Sequence, residues 1–372
     1  MKETNGQQII SLFEQWAPKS LAVVGDSIGL QVGTLNKTIS KVLVTLDVNP
    51  KVVQEAIEQG CQLIIAHHPP IFRGMKNMRT DLPQGKLIEQ LIKHDIAVYA
   101  AHTNLDIATG GVNDLLATAL QLENVKILEQ TTAEKLMKLA VFTPKESTEQ
   151  VRMALGDAGA GQIGDYANCS FTSQGEGRFK PSESADPYIG KANELAIVEE
   201  DKIEVVFPVS IKNRVLKALL TTHPYEEPAY DLYFLDIEVN EKGLGRVGTL
   251  PNPIVLSEYA QTVKHQLHVP FVRVVGELDK SVQKVAVLGG DGNKYIQTAK
   301  RAGADVLITG DMYFHVAQDA EAIGLAIIDP GHHIEQIMKT GVANYMNTAC
   351  HDKKLACTFI PSKLSTEPFQ LI

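Results

Sequence analysis

Lys41-Val42-Leu43-Val44-Thr45-Leu46-Asp47-Val48-Asn49-Pro50-Lys51-Val52-Val53 opens a segment, closed by Gly60 and Leu63-Ile64-Ile65, that the chain writes twice. Residues 41–65 align without a gap onto residues 284–308 at a constant offset of 243. Lys41, Val42, Val44, Lys51, Gln54, Ala56, Gly60 and Ile65 recur identically as Lys284, Val285, Val287, Lys294, Gln297, Ala299, Gly303 and Ile308. Eight identities in 25 positions exceed what shared apolar periodicity gives.

Each copy has one physical logic. A short apolar run, Val42-Leu43-Val44 or Val285-Ala286-Val287-Leu288, reads as a buried strand. A turn follows, at Asn49-Pro50 or Gly289-Gly290-Asp291-Gly292. A helix with apolar residues three to four apart runs on to Gly60 or Gly303. A second apolar strand, Leu63-Ile64-Ile65 or Val306-Leu307-Ile308, closes a parallel βαβ unit. The likeness extends to Ile96-Ala97-Val98-Tyr99 and Ala326-Ile327-Ile328-Asp329, at an offset of 230, each leading to a histidine. The two regions read as repeated halves of one α/β domain sharing one sheet. The expected segments are 1–127 for the first half and 243–372 for the second.

Residues 128–242, between the halves, change style. Lys138-Leu139-Ala140-Val141-Phe142 and Ile203-Glu204-Val205-Val206-Phe207 read as strands, as does Tyr230-Asp231-Leu232-Tyr233-Phe234, with helices near 148 and from about 211 to 220. That order predicts a small ferredoxin-like α+β domain inserted into the repeat.

Metal or substrate sites in such sheets lie at the carboxyl ends of the strands, and three clusters stand just past predicted strand ends. In His67-His68-Pro69-Pro70 both rings can turn to one side at a strand-to-loop bend, and neutral imidazole is a common metal ligand. An isolated pair would read equally well as loop residues with satisfied hydrogen bonds. His102-Thr103-Asn104-Leu105-Asp106 offers an imidazole and a carboxylate four residues apart. His102 reads as a ligand, a proton-transfer group or a support for a ligand, and Asp106 alone would suit a turn or helix cap. His332-His333-Ile334-Glu335 follows the turn Asp329-Pro330-Gly331, so His332 and Glu335 fall on one helical face while His333 points elsewhere. Asp329 is a candidate for orienting an imidazole. Asp311 and His315 occupy the place of His67-His68 in the second copy and read foremost as a solvated helix start.

Together the clusters mix imidazoles with two carboxylates, which suits zinc first, with iron or manganese as alternatives. More than four candidate ligands favour two divalent ions, a pair that supports metal-assisted hydrolysis.

The 372 residues carry 35 basic against 44 acidic side chains, a net charge of −9, which argues against broad nucleic-acid binding. No run reaches the ~18–20 apolar residues of a membrane span, and the polar start Met1-Lys2-Glu3-Thr4 does not read as a signal peptide. The four cysteines form no Cys-x-x-Cys pair. A cytoplasmic protein is expected.

Four stretches resemble the Nif-three-like family, whose members are often labelled GTP cyclohydrolase 1 type 2 homologs: Val23-Val24-Gly25-Asp26-Ser27-Ile28-Gly29-Leu30, Ala66-His67-His68-Pro69-Pro70-Ile71-Phe72, Ala101-His102-Thr103-Asn104-Leu105-Asp106 and Gly331-His332-His333-Ile334-Glu335. The insert, through Asp186-Pro187-Tyr188-Ile189-Gly190 and His223-Pro224-Tyr225-Glu226-Glu227-Pro228, resembles the PII/CutA-like domain of the longer members. The resemblance implies a two-metal site on His67, His68, Asp106, His332 and Glu335, with Glu335 bridging. It also implies a ring-shaped homohexamer with its sites facing an internal cavity, acting on a small molecule. Its last His and Glu are commonly four apart, whereas here they are three apart. A cyclohydrolase would act on a nucleotide-like substrate with a general acid such as His102. The competing reading is a metal-binding regulatory or carrier protein without turnover, the insert sensing a ligand.

Overall fold

Both copies of the repeated segment fold as strand, helix and strand in the computed structural model of the chain, which describes residues 4–370. The strands are β1 (Gly29–Val32), β2 (Lys41–Thr45), β3 (Leu63–Ala66), β4 (Ala97–Ala100), β5 (Glu123–Pro144), β6 (Ser170–Phe179) and β7 (Ala196–Pro208). They continue as β8 (Tyr230–Val255), β9 (Arg273–Val275), β10 (Ser281–Asp291), β11 (Val306–Gly310), β12 (Ala326–Asp329) and β13 (Thr358–Pro361).

In the first copy Asn49 caps the helix Pro50–Glu58, its side chain accepting from the Val52 N–H at 3.0 Å. Pro50 takes the first helical position, where a missing N–H leaves nothing unpaired. Gly60 ends the unit's helical turn at φ +66° and its counterpart Gly303 does so at +77°, a conformation that a side chain would strain.

The chain divides into two compact units, one of Met1–Thr131 with Lys242–Ile372 and the other of Thr132–Glu241; β5 and β8 contribute to both. In the first unit the halves do not share one sheet, which corrects the expectation from the repeat. The first half builds a sheet in the order β1-β4-β3-β2-β13, parallel except for β1. The second builds β10-β11-β12 in parallel, with β8 antiparallel on β10 and β9 antiparallel on β12. Strands apolar on both faces announce a buried parallel sheet but not their lateral neighbours. A short antiparallel strand edges each sheet, β1 beside β4 and β9 beside β12. Alternate residues show the result. Val42, Val44, Leu63 and Ile65 share one buried cluster with Val285, Val287, Val306 and Ile308, while Leu43 and Ile64 pack in a second cluster, and Ala286 and Leu307 in a third. Pairing of Leu63 with Ala97 and of Val306 with Ala326 sets the third strands at an offset of 229, one less than the sequence alignment.

The second unit runs β5, helix Thr148–Asp157, β6, β7, helix Lys212–Thr222, β8, with β7 antiparallel to both β6 and β5. Both helices cover one face, where Val151, Leu155, Val215 and Leu219 pack with Val141, Ile203 and Val205. No helix among the described residues is long and apolar enough to cross a membrane.

Candidate metal centre

Strand ends position every side chain of the first unit's principal polar cluster. β3 stops at Ala66 and passes directly to His67 and His68. β4 leads through Ala101 to His102 and the short helix Thr103–Ile107, which carries Asp106. β12 leads through Gly331, at φ +86°, into the 3₁₀ turn His332–Gln336. A 3₁₀ turn has three residues per turn, so residues three apart eclipse one another. That geometry explains how His332 and Glu335 meet at a spacing of three, with His332 Nε2 3.2 Å from Glu335 Oε2.

Four imidazoles gather here, and each has its Nδ1 on an acceptor. His67 Nδ1 lies 2.8 Å from Ala101 O, His68 Nδ1 2.7 Å from Asp47 Oδ1, His102 Nδ1 2.8 Å from Asp26 Oδ1 and His332 Nδ1 2.7 Å from Asp311 Oδ2. Carbonyl and ionised carboxylate oxygens only accept, so each Nδ1 donates and each Nε2 is left for the centre of the cluster. Glu335 Oε2 sits 3.1 Å from His68 Nε2 and 3.7 Å from His67 Nε2, and Asp106 Oδ1 lies 3.5 Å from His67 Nε2. His67 Nε2 and Asp106 Oδ1 are both buried without a hydrogen-bond partner. Buried polar atoms are ordinarily paired, and two facing orphan lone pairs are what a cation between them would satisfy. The residues therefore fit a metal. Three sets have ligand atoms within 4.8 Å of one another and could hold an ion: His67, Asp106 and Glu335; His68, His332 and Glu335; and His67, His68 and His102.

The electrostatics follow from the packing. Burial works to lower the His68 imidazole, but Asp47 and Glu335 outweigh it and push it up to about 10. The hydrogen bond to Glu335 raises His332 to about 9, against burial. Burial raises the Asp106 carboxyl to about 6. Burial acts in the same direction on Glu335, yet His67, His332 and His68 hold it well below the usual carboxylate range. Asp26, under the opposing pull of burial, is brought down to about 2 by His102 and Thr103.

His67, His68, His102, Asp106, His332 and Glu335 are thus brought together. His333 is not, since its Nε2 lies 3.3 Å from Ser365 Oγ. Asp311 joins the cluster through His332, whereas His315 is outside it and bonds Gln318. Asp329 orients no imidazole; it pairs with Arg273 and accepts from the Met312 and Gly331 amides. Asp26 and Asp47 were not legible as supports, because a single carboxylate in a loop beside a strand looks like any turn residue. Thr366, near the chain's end, donates to Asp47 and completes that support. Asn113 was also missed; its amide donates to Asp106 O at 3.0 Å and its carbonyl accepts from Gly289 N at 3.0 Å. Gly289 and Gly290 belong to this wall, since a Cβ at Gly290 would lie 2.7 Å from Glu335 Oε1.

The comparisons with known proteins agree with this architecture. A Bacillus subtilis relative called GTP cyclohydrolase 1 type 2 homolog is 57% identical over 371 residues, covering 100% of both chains. One of the same description from Halalkalibacterium halodurans is 54% identical, also over the full length of both. Among solved structures, a Bacillus cereus protein related to NIF3 superposes with a TM-score of 0.92 at 52% identity, covering 100% of each chain. A Staphylococcus aureus protein does so with a TM-score of 0.84 at 32% identity and the same coverage. The profile of one family matches residues 4–368, and the chain belongs to it: Duf34/NIF3 (NGG1p interacting factor 3).

Proposed function

We propose that the chain is a dinuclear metal protein and a metal-dependent hydrolase of GTP cyclohydrolase type, acting on a small nucleotide-like substrate. The observation that carries this reading is the set of four imidazoles locked through Nδ1, three of which, His67, His68 and His332, turn Nε2 toward Glu335, with Asp106 beside His67. His67 and Asp106 would hold one ion and His68 with His332 the other, with Glu335 common to both sets. Zinc suits these donors, as do iron and manganese. When bound, a pair of such ions supplies Lewis acidity for attack by water.

The chain's own residues do the rest. Asp47, Asp311 and the Ala101 carbonyl fix the rings so that little rearrangement accompanies binding. Asp26 holds His102 by Nδ1, leaving Nε2 to carry a proton to or from the substrate, 5.2 Å between ring centroids from His67. The names of the relatives support the cyclohydrolase class, and the order of elements in the second unit supports a ferredoxin-like, PII/CutA-like insert at 128–242. Assembly as a cytoplasmic homohexamer belongs to the same reading.

The test is metal analysis and turnover on one preparation. Two ions per chain and hydrolysis of GTP or a nucleotide analogue are expected. His102→Gln should keep both ions and lower kcat by ~10²–10⁴. One ion or none refutes the dinuclear centre. Two ions with no turnover of GTP or a broad hydrolase panel refutes the hydrolase and leaves a metal carrier or regulator.

A further inference from the structure

The second unit holds a cavity of ≈ 770 Å³ on the face of its sheet that carries Gly175, Gly177 and Phe179 from β6 and Glu200 and Lys202 from β7. The helices of the unit pack against the other face. A segment from Lys180 onward covers the cavity, closed on itself where the Asn193 N–H donates to Pro181 O at 2.8 Å and tied down where the Asp186 N–H donates to Glu226 at 3.1 Å. Compact surface loops with adjoining ends are frequently functional, and the volume lies in the range of small-molecule sites.

Its floor is a carboxylate. Glu200 is only 9% exposed, and its Oε1 accepts from the Tyr225 hydroxyl at 2.9 Å. Gly177 makes room for it, since a Cβ there would fall 2.0 Å from Glu200 Oε2. Three aromatic rings stand around the site. Tyr225 meets Phe179 edge-on at 5.8 Å between centroids and Tyr188 at 6.2 Å. Burial, with Glu200 beside it, drives the Tyr225 phenol upward, so that it stays a donor.

The local charge is unbalanced. Among the described residues, two lining cations already have carboxylates: Arg178 lies 2.7 Å from Glu176, and Lys202 3.5 Å from Glu204. Lys180 is the remaining lining cation, against Glu200, Glu226 and Glu227 with no cation partner. A buried carboxylate left to a single phenol favours a positive charge beside it, and aromatic faces attract the same kind of charge.

We propose that this cavity binds a small organic cation, an amine or quaternary ammonium group on an apolar body, with Glu200 as counter-ion and Tyr225, Tyr188 and Phe179 as its walls. The site lies wholly within the second unit and does not depend on the metal reading.

The test uses the full-length protein and three probes of one shape: benzylamine, benzyl alcohol and benzoate, followed by ligand-observed NMR at constant ionic strength. Benzylamine should bind at least tenfold more tightly than benzyl alcohol, and benzoate least. Glu200→Gln keeps the acceptor for Tyr225 and should erase that preference. Gly175 lines the cavity and a Cβ there would meet nothing within 4 Å, so Gly175→Phe should block binding without disturbing the fold. The proposal fails if benzylamine does not bind at millimolar concentration, or if the neutral or anionic probe matches it. It also fails if either variant binds as wild type does, or if Gly175→Phe changes the native mass, which would mean another copy fills this face.

Discussion

The residues of the candidate metal centre are most informative in what they do with protons. His68 and His332, raised to about 10 and about 9, carry protons at neutral pH when no ion is bound. An imidazole must be neutral to coordinate, so metal uptake expels them. Titration of metal-free protein with zinc at pH 7.5, in two buffers of different ionisation enthalpy, should report release of about two protons per chain. The same shifts set a stability trend for the metal-free protein. Folded values above the ordinary imidazole value of 6.5 add stability that is fully present below that pH. It is lost as pH rises through 9 and 10. Melting temperature of the metal-free protein should therefore fall between pH 7 and 10, while the metal-loaded protein stays nearly level. A metal-free protein that gains stability over that window contradicts the protonated pair. The imidazoles themselves were readable from sequence because adjacent histidines after an apolar run are uncommon. Asp311 was readable only as a position in the repeat, and its contact with His332 depends on a loop crossing that no local pattern encodes.

At the level of elements, the repeat was legible because strand, turn, helix and glycine recur in register, and Gly60 and Gly303 take the same left-handed turn. What it could not convey was lateral order. Both faces of β2, β3, β10 and β11 are apolar, so the two-sheet arrangement rests on β1, β9 and β13, short strands with weak periodicity. The crossing of elements at the candidate metal centre has its own requirement. β11 ends at Gly310, where a Cβ would stand 2.6 Å from the backbone N of His332 and 2.7 Å from Gly331 C. Backbone cannot move aside cheaply, so Gly310→Ala should destabilise by about 1–3 kcal/mol and displace His332. Gly324→Ala is the control. Gly324 has φ +69° and meets only the end of Lys300, so it should lose roughly 1–2 kcal/mol from backbone strain. Calorimetry should find both variants less stable, with metal content reduced in Gly310→Ala alone. Equal metal content in the two would show that the crossing tolerates a methyl group.

On the scale of the whole molecule, the chain leaves the first unit at Thr131 and returns at Lys242, and these ends adjoin, with Thr131 Oγ1 3.3 Å from Lys242 O. The pass is tight, since a Cβ at Gly243 would lie 2.0 Å from Glu129 O. β5 and β8 therefore leave the first unit as the two arms of a ribbon. Among the described residues, every side chain shown to touch the histidine and carboxylate cluster, from Asp26 to Thr366, belongs to that unit. Its buried cluster draws on both halves of the repeat, through Tyr99 and Val112 on one side and Val285, Met338 and Phe359 on the other. A core assembled from both halves does not need the intervening residues for its packing. Replacing residues 132–241 by Asn-Gly, the pair suited to a two-residue hairpin turn, should give a protein that folds cooperatively. It should keep the metal content of the full chain and lose the benzylamine site altogether. Circular dichroism melting, metal analysis and the NMR titration on this shortened chain check the three outcomes separately. A shortened chain that fails to fold would mean that the first unit's stability depends on the second, despite a core that closes without it.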